Sequence, residues 1–245
     1  MNMETPVDIA IVVPAYNEEK TVSKVIETLY EIMSSSPYSF QLVVVDDGSK
    51  DDTATVARRT LESMKKPGDF SVFVQHEKNF GKGMAIRTAI PYVSARYVII
   101  QDADLENDPH DILRMLDVMV RKNLKVLYGS RFLREKGNRN KHLYKAYYWG
   151  GRLVSFTANV LFGQRLTDEP TCYKMFDAEL LKSIDLKCTG FEFCPEVTAK
   201  VAKKGYKIEE IPISYHPRTI REGKKLSWKD GLEAIKVLVK YRFVK

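Results

Sequence analysis

Short apolar runs alternate along the first half of the chain with segments whose apolar residues recur at helical spacing. The apolar runs are residues 7–13, 42–45, 70–74 and 97–100. They are rich in β-branched and aromatic residues, which is typical of strands buried on both faces of a parallel sheet. A helix after the first run is predicted by the spacing of Val22, Val25, Ile26 and Leu29. This alternation predicts a doubly wound α/β half that extends to about residue 131.

Beyond residue 131 the pattern is less regular. The stretch 134–141 is polar and basic, and we expect a mobile loop there, at the mouth of a site. An amphipathic segment rich in Tyr, Phe and Trp follows at about 143–161. The remaining predicted elements are a strand at 173–176, a helix at 194–203, a strand at 208–215 and a helix at 228–241.

Individual residues mark where the first elements end and begin. Pro14 lacks the backbone N–H that a central ladder needs, so the first strand is expected to stop there. Asn17 is the predicted cap of the following helix, and Asp51 is the predicted cap of the next one. Gly81 and Gly83 open a third helix and allow another stretch of backbone to approach closely.

Two pairs of aspartates follow predicted strands directly. Asp46 and Asp47 come after the second strand, and Asp102 and Asp104 come after the fourth. Ligands of open α/β sheets bind at the carboxyl ends of the strands. A D-x-D pair there suits a hard divalent cation, which anchors phosphate oxygens that carboxylates alone would repel. The pattern therefore favours a metal and a nucleotide diphosphate at this edge.

Seven ordered segments resemble the family 2 glycosyltransferases of GT-A fold, and more closely the dolichyl- and polyprenyl-phosphate mannose and glucose synthases. In the first half they are P-A-Y-N-E-E at 14–19, V-V-V-D-D-G-S-K-D-D-T at 43–53, K-N-F-G-K-G-M-A-I-R at 78–87, Q-D-A-D-L-E at 101–106 and Y-G-S-R-F at 128–132. In the second half they are T-D-E-P-T-C-Y-K-M-F at 167–176 and E-G-K-K-L-S-W-K-D-G-L at 222–232. The resemblance covers nearly the whole chain.

The resemblance implies one GT-A domain over residues 1–245. Its doubly wound, mainly parallel Rossmann-like sheet would carry a nucleotide-sugar-binding half at about 1–131 and a smaller, mixed acceptor-side half at about 132–245. The implied activity is inverting transfer of a hexose from a nucleotide diphosphate sugar, of the GDP-mannose or UDP-glucose type. The implied acceptor is a polyprenyl or dolichyl phosphate.

The resemblance also implies the residues of the donor site. The expected ligands of Mg²⁺ or Mn²⁺ are Asp102, Asp104 and Glu106. The expected nucleotide-sugar-binding residues are Pro14, Tyr16, Glu18, Val45, Asp47, Lys82, Asp102, Ala103 and Asp104. Two alternatives stay open here, since Lys82 could instead solvate a helix start and a strand-end aspartate such as Asp46 often caps the next turn.

Catalytic roles are implied for Asp104, Arg131 and Asp168. Arg131 is expected to grip a phosphate with its planar fork, against the alternative of a surface ion pair. For Asp168 a fold-stabilising role is the rival. Further phosphate contacts are implied in a basic loop that carries Arg218, Arg221, Lys224 and Lys225. Relatives often read G-E-S-K-L where this chain has G-K-K-L, so either of the two lysines could do this work.

The remaining composition limits the class of partner. The net charge of +7 favours an anionic partner, and because no nucleic-acid module is recognisable, a nucleotide or an anionic membrane surface leads. No apolar stretch approaches the ~20 residues of a membrane span and no signal peptide opens the chain. We therefore expect peripheral contact at the cytoplasmic face of a membrane, with a membrane-anchoring partner or a homodimer as open possibilities. The three cysteines and four histidines show no ligand or disulfide spacing, which predicts reduced thiols and structural or exposed imidazoles.

Two other functions remain open on the sequence alone. If the acceptor were a sugar hydroxyl in a surface polysaccharide, a carboxylate base would be required, and Asp168 and Glu192 are the candidates. A phosphate acceptor is already ionised and needs no strong base. The other function is non-catalytic binding of a nucleotide sugar.

Overall fold

The computed structural model describes residues 7–133, 145–219 and 228–244. Within these ranges seven strands form one sheet in the order β3-β2-β1-β4-β6-β5-β7. The strands are β1 (Val7–Ala15), β2 (Phe40–Asp46), β3 (Val72–Gln75), β4 (Ala95–Ile100), β5 (Val126–Ser130), β6 (Lys174–Asp177) and β7 (Glu209–Pro212). The β6 strand runs antiparallel to β4 and β5, whereas the other neighbouring strands pair in parallel. The sheet is thus mainly parallel and mixed, as expected.

Helices cover both faces of the sheet. They are α1 (Val22–Ser34), α2 (Thr53–Met64), α3 (Lys82–Ala89), α4 (Asp111–Lys122), α5 (Lys145–Phe162), α6 (Ala178–Lys182), α7 (Phe193–Lys203) and α8 (Trp228–Phe243), with a short 3₁₀ turn at Ile90–Tyr92. One apolar core joins the sheet to α1, α2 and α4, and a second joins its other face to α3, α6 and α7. Alternate residues of β1 enter opposite cores and both sets are buried, which explains the continuous apolar run in the sequence. A third cluster packs α5 and α8 on α7.

The strand order creates a switch point between β1 and β4. From β1 the chain moves outward through β2 and β3, then returns to add β4 on the other side of β1. Such a reversal opens a crevice at the carboxyl ends of the two central strands, where open α/β sheets bind ligands. The candidate site lies at this edge.

Two local predictions about the first loop differ from the structure. The α1 helix begins at Val22 rather than after Asn17, whose φ is 52° and whose side-chain oxygen accepts a hydrogen bond from the backbone N–H of Lys50 (2.9 Å). The prediction that Asn17 caps α1 is therefore wrong, because Asn17 instead joins the loop after β1 to the loop after β2. The β1 strand also extends one residue past Pro14. Its pairing with β4 ends at Val12, so Pro14 interrupts no ladder on that side.

The other element boundaries shift by a few residues at most. Asp52 occupies the cap position of α2, yet the Asp51 carboxylate accepts from the N–H of Thr53 (3.1 Å), as a capping side chain does. The last predicted strand is shorter than expected and covers only Glu209–Pro212. The basic stretch 134–141 and residues 143–144 lie outside the described residues. No described helix is long and apolar enough to cross a membrane.

Candidate active site

The D-x-D aspartates occupy the loop directly after β4, at the switch point. Leu105 adopts a φ of 60°, and the Asp104 carboxylate accepts from the N–H of Glu106 (3.0 Å), so the loop turns tightly. Burial, followed by the negative charges of Asp102 and Glu106, raises the pKa of Asp104 to about 7. A carboxylate whose ionisation is disfavoured by burial and by neighbouring negative charges favours a bound cation, and oxygen donors are those that Mg²⁺ and Mn²⁺ prefer.

Glu106 turns towards the segment that follows β7. Its carboxylate accepts from the Tyr215 hydroxyl (3.0 Å) and from the backbone N–H of Arg218 (2.7 Å). In the described ranges no three His, Cys, Asp or Glu side chains are grouped to hold a metal ion. The described contacts thus favour a positioning task for Glu106, and its part as a third metal ligand stays a prediction.

Lys82 connects the D-x-D loop after β4 to the second half of the chain. Its ammonium donates to the Asp102 carboxylate and to the sulfur of Cys172 (2.9 Å). Burial alone would lower the pKa of Lys82, but the negative charges around it, first that of Asp102, keep it well above its ordinary value. Lys82 therefore points into the site and does not extend into solvent from a helix start, which was the alternative.

The glycines at the start of α3 allow close backbone contact, as expected. The N–H groups of Gly83 and Met84 donate to the carbonyls of Gly190 (3.1 Å) and Thr189 (3.0 Å). A Cβ on Gly83 would lie 2.8 Å from the Gly190 carbonyl oxygen, and Gly81 has a φ of 98°. These first-turn N–H groups therefore bind the chain itself, and the contact fixes the helix from which Lys82 reaches Asp102.

The two aspartates after β2 have different tasks. Asp46 accepts from the N–H of Ser49 (3.2 Å), so the turn-capping alternative is confirmed for it. Asp47 is almost fully buried and accepts from the N–H groups of Phe80 (2.9 Å) and Gly81 (2.8 Å) and contacts His76 Nδ1 at 2.7 Å. These contacts favour a positioning task for Asp47, and its direct contact with a nucleotide stays a prediction. His76 is structural, as expected.

Glu18 and Arg218 are brought together from opposite ends of the chain. The Arg218 guanidinium donates to both carboxylate oxygens of Glu18, at 3.2 and 2.9 Å, and Thr21 donates to the same carboxylate at 3.0 Å. The ion pair holds Arg218 against the loop after β1, where the nucleotide is expected to bind. Tyr16 lies half-buried beside Glu18.

Three other residues that are expected to bind the nucleotide sugar lie at the ends of β1 and β2 and in the loop after β4. They are the buried Pro14, Val45 and Ala103. Because their side chains are buried, contact with a nucleotide would come mainly from their backbone. Arg221, Lys224 and Lys225 lie outside the described residues.

Arg131 forms a bidentate ion pair with the buried Asp168. The Nε and Nη2 atoms of Arg131 each donate to a different oxygen of Asp168 at 2.8 Å, and the backbone N–H of Arg131 adds a third bond at 2.8 Å. Asp168 is 0% exposed, so this is not the surface ion pair that was the alternative for Arg131. Backbone N–H groups of Thr167 and Asp168 donate in turn to Glu210, a β7 residue that pairs with Tyr128 of β5. These contacts favour a fold-stabilising role for Asp168 over a catalytic one.

Sequence reasoning did not single out two residues of this region. The Tyr215 ring lies 5.1 Å from the Arg131 guanidinium, and its hydroxyl binds Glu106. Cys172 binds Lys82 from within the matched segment 167–176. Their position at or near motif residues was the available signal, but which groups they contact depends on the sheet order.

Comparison with known proteins identifies the family. The family model described as glycosyl transferase family 2 matches residues 10–185, most of the chain. This chain belongs to glycosyl transferase family 2. The family expected from the sequence motifs is thereby confirmed.

Named relatives of this family 2 transferase include two longer proteins. Dodecaprenyl-phosphate galacturonate synthase of Rhizobium johnstonii is 30% identical over 215 residues, which cover 86% of this chain and 60% of that protein. Glycosyltransferase AglJ of Haloferax volcanii is 28% identical over 217 residues, covering 88% and 65% respectively. The chain thus spans less than two thirds of either relative's length.

Solved structures confirm the expected GT-A fold. Glucosyl-3-phosphoglycerate synthase of Mycobacterium tuberculosis with Mg²⁺ and UDP superposes with a TM-score of 0.69 at 18% identity, over 98% of this chain and 80% of that chain. The same enzyme with Mn²⁺, UDP and glucosyl-3-phosphoglycerate gives a TM-score of 0.66 at 18% identity, over 98% and 81%. At this identity the likeness concerns the fold.

Proposed function

We propose that this transferase moves a hexose from a nucleotide diphosphate sugar to a polyprenyl phosphate, with inversion and with a divalent cation. The observation that carries the proposal is that both carboxylates considered as bases are already held within the chain. Asp168 is fully buried against Arg131. Glu192 accepts from the N–H groups of Thr189 (2.7 Å) and Gly190 (2.9 Å).

The electrostatics of Glu192 further disfavour a role as base. Partial burial tends to raise its pKa, but the backbone N–H bonds from Gly190 and Thr189 outweigh this and hold the pKa below its ordinary value. A sugar hydroxyl requires a base with a pKa near the working pH. A phosphate monoester, with a second pKa of about 6, is largely ionised at neutral pH and attacks without one. An acceptor phosphate therefore suits the described site better than an acceptor hydroxyl.

In this mechanism the two ends of the donor are held by different parts of the chain. Asp102 and Asp104 are the residues that would hold Mg²⁺ or Mn²⁺, and when bound the cation neutralises charge on the departing diphosphate. Lys82 lies against Asp102 and would place its ammonium near the same diphosphate. Tyr16 and Glu18 would contact the base or ribose.

The acceptor would enter on the side of Arg131. Because Asp168 fixes the guanidinium, its orientation is set before the substrate arrives, which lowers the cost of holding an anionic phosphate. One acceptor phosphate oxygen would then attack the anomeric carbon in line with the leaving group, and the configuration inverts. Arg218 and the predicted basic loop would add positive charge around both phosphates.

The name of one relative supports this acceptor class. The Rhizobium protein is called a dodecaprenyl-phosphate galacturonate synthase, which points to a polyprenyl phosphate and to a sugar acid. The donor panel should therefore include a UDP-linked uronic acid beside UDP- and GDP-linked hexoses. Thermal shift with Mn²⁺ would rank them, because a bound ligand raises the apparent stability by mass action.

A transfer assay tests the proposal. Radiolabelled donor sugars are incubated with Mn²⁺ and either undecaprenyl phosphate, undecaprenol or free sugars, and label is counted in the lipid phase and in the aqueous sugar products. We expect label to appear only with undecaprenyl phosphate, since undecaprenol has the same chain without the ionised nucleophile. Label on free sugars would favour the polysaccharide alternative instead. Donor binding without any transfer would favour the non-catalytic alternative.

A membrane-facing surface would bring the site to such a lipid. The outer face of α5 exposes Trp149, Leu153, Phe156 and Val160, at helical spacing and each more than half exposed. The neighbouring α8 exposes Trp228, Leu232, Val239 and Phe243, and it also carries Lys229, Lys236, Lys240 and Arg242. Apolar and aromatic residues beside cations favour the interface of an anionic bilayer, where each cation is worth about 1 kcal/mol. We include peripheral contact with the membrane in the proposal.

Vesicle flotation tests this surface. We expect the protein to float with anionic vesicles at low salt, and Trp149→Ala to weaken its partitioning at least roughly tenfold, because burying a large apolar side chain is worth about 1.5–3 kcal/mol. Phe70→Ala is the matched control, since Phe70 is an exposed aromatic residue away from α5 and α8. Absence of binding to anionic vesicles at low salt would contradict the peripheral contact.

A further inference from the structure

Two of the three cysteines meet beside the donor site. Cys172 lies in the segment before β6, and Cys194 lies in the first turn of α7. Their sulfur atoms are 4.0 Å apart, and the Cys194 thiol also lies 3.3 Å from the Thr171 carbonyl oxygen. Contact at this distance between residues from different elements places both thiols within reach of one disulfide bond.

The two thiols have different surroundings. Cys172 is partly exposed and lies 2.9 Å from the Lys82 ammonium, whereas Cys194 is buried. The hydrogen bond from Cys194, and then the charge of Lys82, hold the pKa of Cys172 below its ordinary value. The same hydrogen bond and burial raise the pKa of Cys194. A partly exposed cysteine beside a cation, with a buried second thiol next to it, is the arrangement of an attacking and a resolving cysteine.

We propose that Cys172 and Cys194 form a reversible disulfide with small-molecule disulfides of the glutathione type, and that this bond weakens the donor site through Lys82. The second part rests on the proposed function. The first part concerns thiol chemistry alone and stands independently of the reaction that the enzyme catalyses.

The exchange has two balanced steps. The Cys172 thiolate attacks one sulfur of the small disulfide, so that a mixed disulfide forms and one small thiolate leaves. The Cys194 thiol then loses its proton and attacks the Cys172 sulfur, which releases the second small thiolate. In total, two protein thiols are oxidised to one disulfide and one small disulfide is reduced to two small thiols, which take up the two protons.

Bond formation would change what Lys82 contacts. The two sulfur atoms must approach from 4.0 Å to about 2.05 Å, which draws Cys172 towards Cys194. A disulfide sulfur can carry no negative charge, so Asp102 remains the charged partner of Lys82 in this pair. A stronger ion pair between Lys82 and Asp102 competes with a divalent cation for the Asp102 carboxylate. We therefore expect the oxidised enzyme to bind Mn²⁺ and nucleotide several-fold more weakly.

Intact-mass measurement tests the disulfide. The full chain is incubated with oxidised glutathione, and we expect a loss of two hydrogen atoms, a cross-linked peptide pair containing Cys172 and Cys194, and full reversal by dithiothreitol. Cys172→Ala and Cys194→Ala should each abolish the cross-link. Cys188→Ser is the matched control, because Cys188 is buried beside Glu196 and should leave the cross-link unchanged. A wild-type chain that forms no 172–194 cross-link, or only a lasting mixed disulfide with glutathione, would overturn the proposal.

Calorimetry with Mn²⁺ and UDP or GDP tests the link to the donor site. Oxidised wild-type protein should bind several-fold more weakly than reduced protein, and Cys172→Ala, which lacks the attacking thiol, should show no such response to the oxidant. Equal binding by the cross-linked and reduced forms would overturn the link through Lys82. If no acceptor were ever found, the proposed function would fail while the mass measurement still decided the disulfide.

Discussion

Asp104→Asn is expected to abolish transfer while leaving the protein at least as stable as the wild type. Asparagine keeps an oxygen that can accept from the N–H of Glu106 but removes the charge that would hold the cation. Several kcal/mol of charge stabilisation at the leaving diphosphate is lost, which lowers the rate at least roughly a hundredfold. Stability should not fall, because the fold raises the pKa of Asp104 and thus disfavours its ionised form when no cation is bound.

Steady-state transfer and thermal unfolding without metal measure the two effects of Asp104→Asn. Asp102→Asn should also weaken transfer strongly, and EDTA should suppress the wild-type reaction. Asp117→Asn, in α4, is a suitable control for the loss of one aspartate elsewhere. Full wild-type activity in EDTA would contradict the expected role of both aspartates.

Arg131→Lys is expected to lose most of the transfer activity, at least roughly tenfold, while nucleotide binding largely survives. The Arg131 fork donates through Nε and Nη2 to both oxygens of Asp168, and an ammonium cannot reproduce this planar contact. The lysine ammonium at position 131 would then be poorly oriented towards the acceptor phosphate. Some stability should also be lost, because a hydrogen bond to a charged group is worth about 1.5–3 kcal/mol.

The activity of Arg131→Lys is measured well below its melting temperature, so that folding and transfer are separated. Arg131→Ala should be less stable still, by about 3–5 kcal/mol relative to wild type, since it leaves the fully buried Asp168 carboxylate without its fork. Arg58→Lys is the matched control, because Arg58 is exposed on α2 with its guanidinium 4.6 Å from the Phe73 ring centroid. Wild-type turnover in Arg131→Lys would reduce the arginine to an ion pair that only supports the fold.

Much of the sheet could be predicted from the chain itself. The central strands have both faces buried, so their sequences are continuous apolar runs that local composition reveals. The D-x-D aspartates were placed at the correct edge because they directly follow such a run. Close approach at Gly81 and Gly83 was also foreseeable, since residues without a Cβ permit it. The sequence did not indicate that the backbone of Thr189 and Gly190 is the segment that approaches these glycines.

Contacts between residues that lie far apart in the chain could not be predicted from the sequence. Asn17 suited a local cap, but the N–H that it accepts from belongs to Lys50, 33 residues away. From the sequence, Glu18 is expected to contact the nucleotide and Arg218 a phosphate, yet they pair with each other across 200 positions. Arg131 and Asp168 likewise have separate expected roles, and only the structure joins them.

The sequence by itself therefore determined the family, the order of most elements and the strand edge that carries the aspartates, because these depend on neighbouring residues and on their periodicity. The tertiary structure alone decided which charged and sulfur groups meet at that edge. The antiparallel β6 strand lies between β4 and β5, which brings the segment around Asp168 and Cys172 alongside the loop of Asp102. Hydrogen bonds and ion pairs act over a few ångströms, so their partners are set by the order of strands in the sheet and not by the order of residues in the chain.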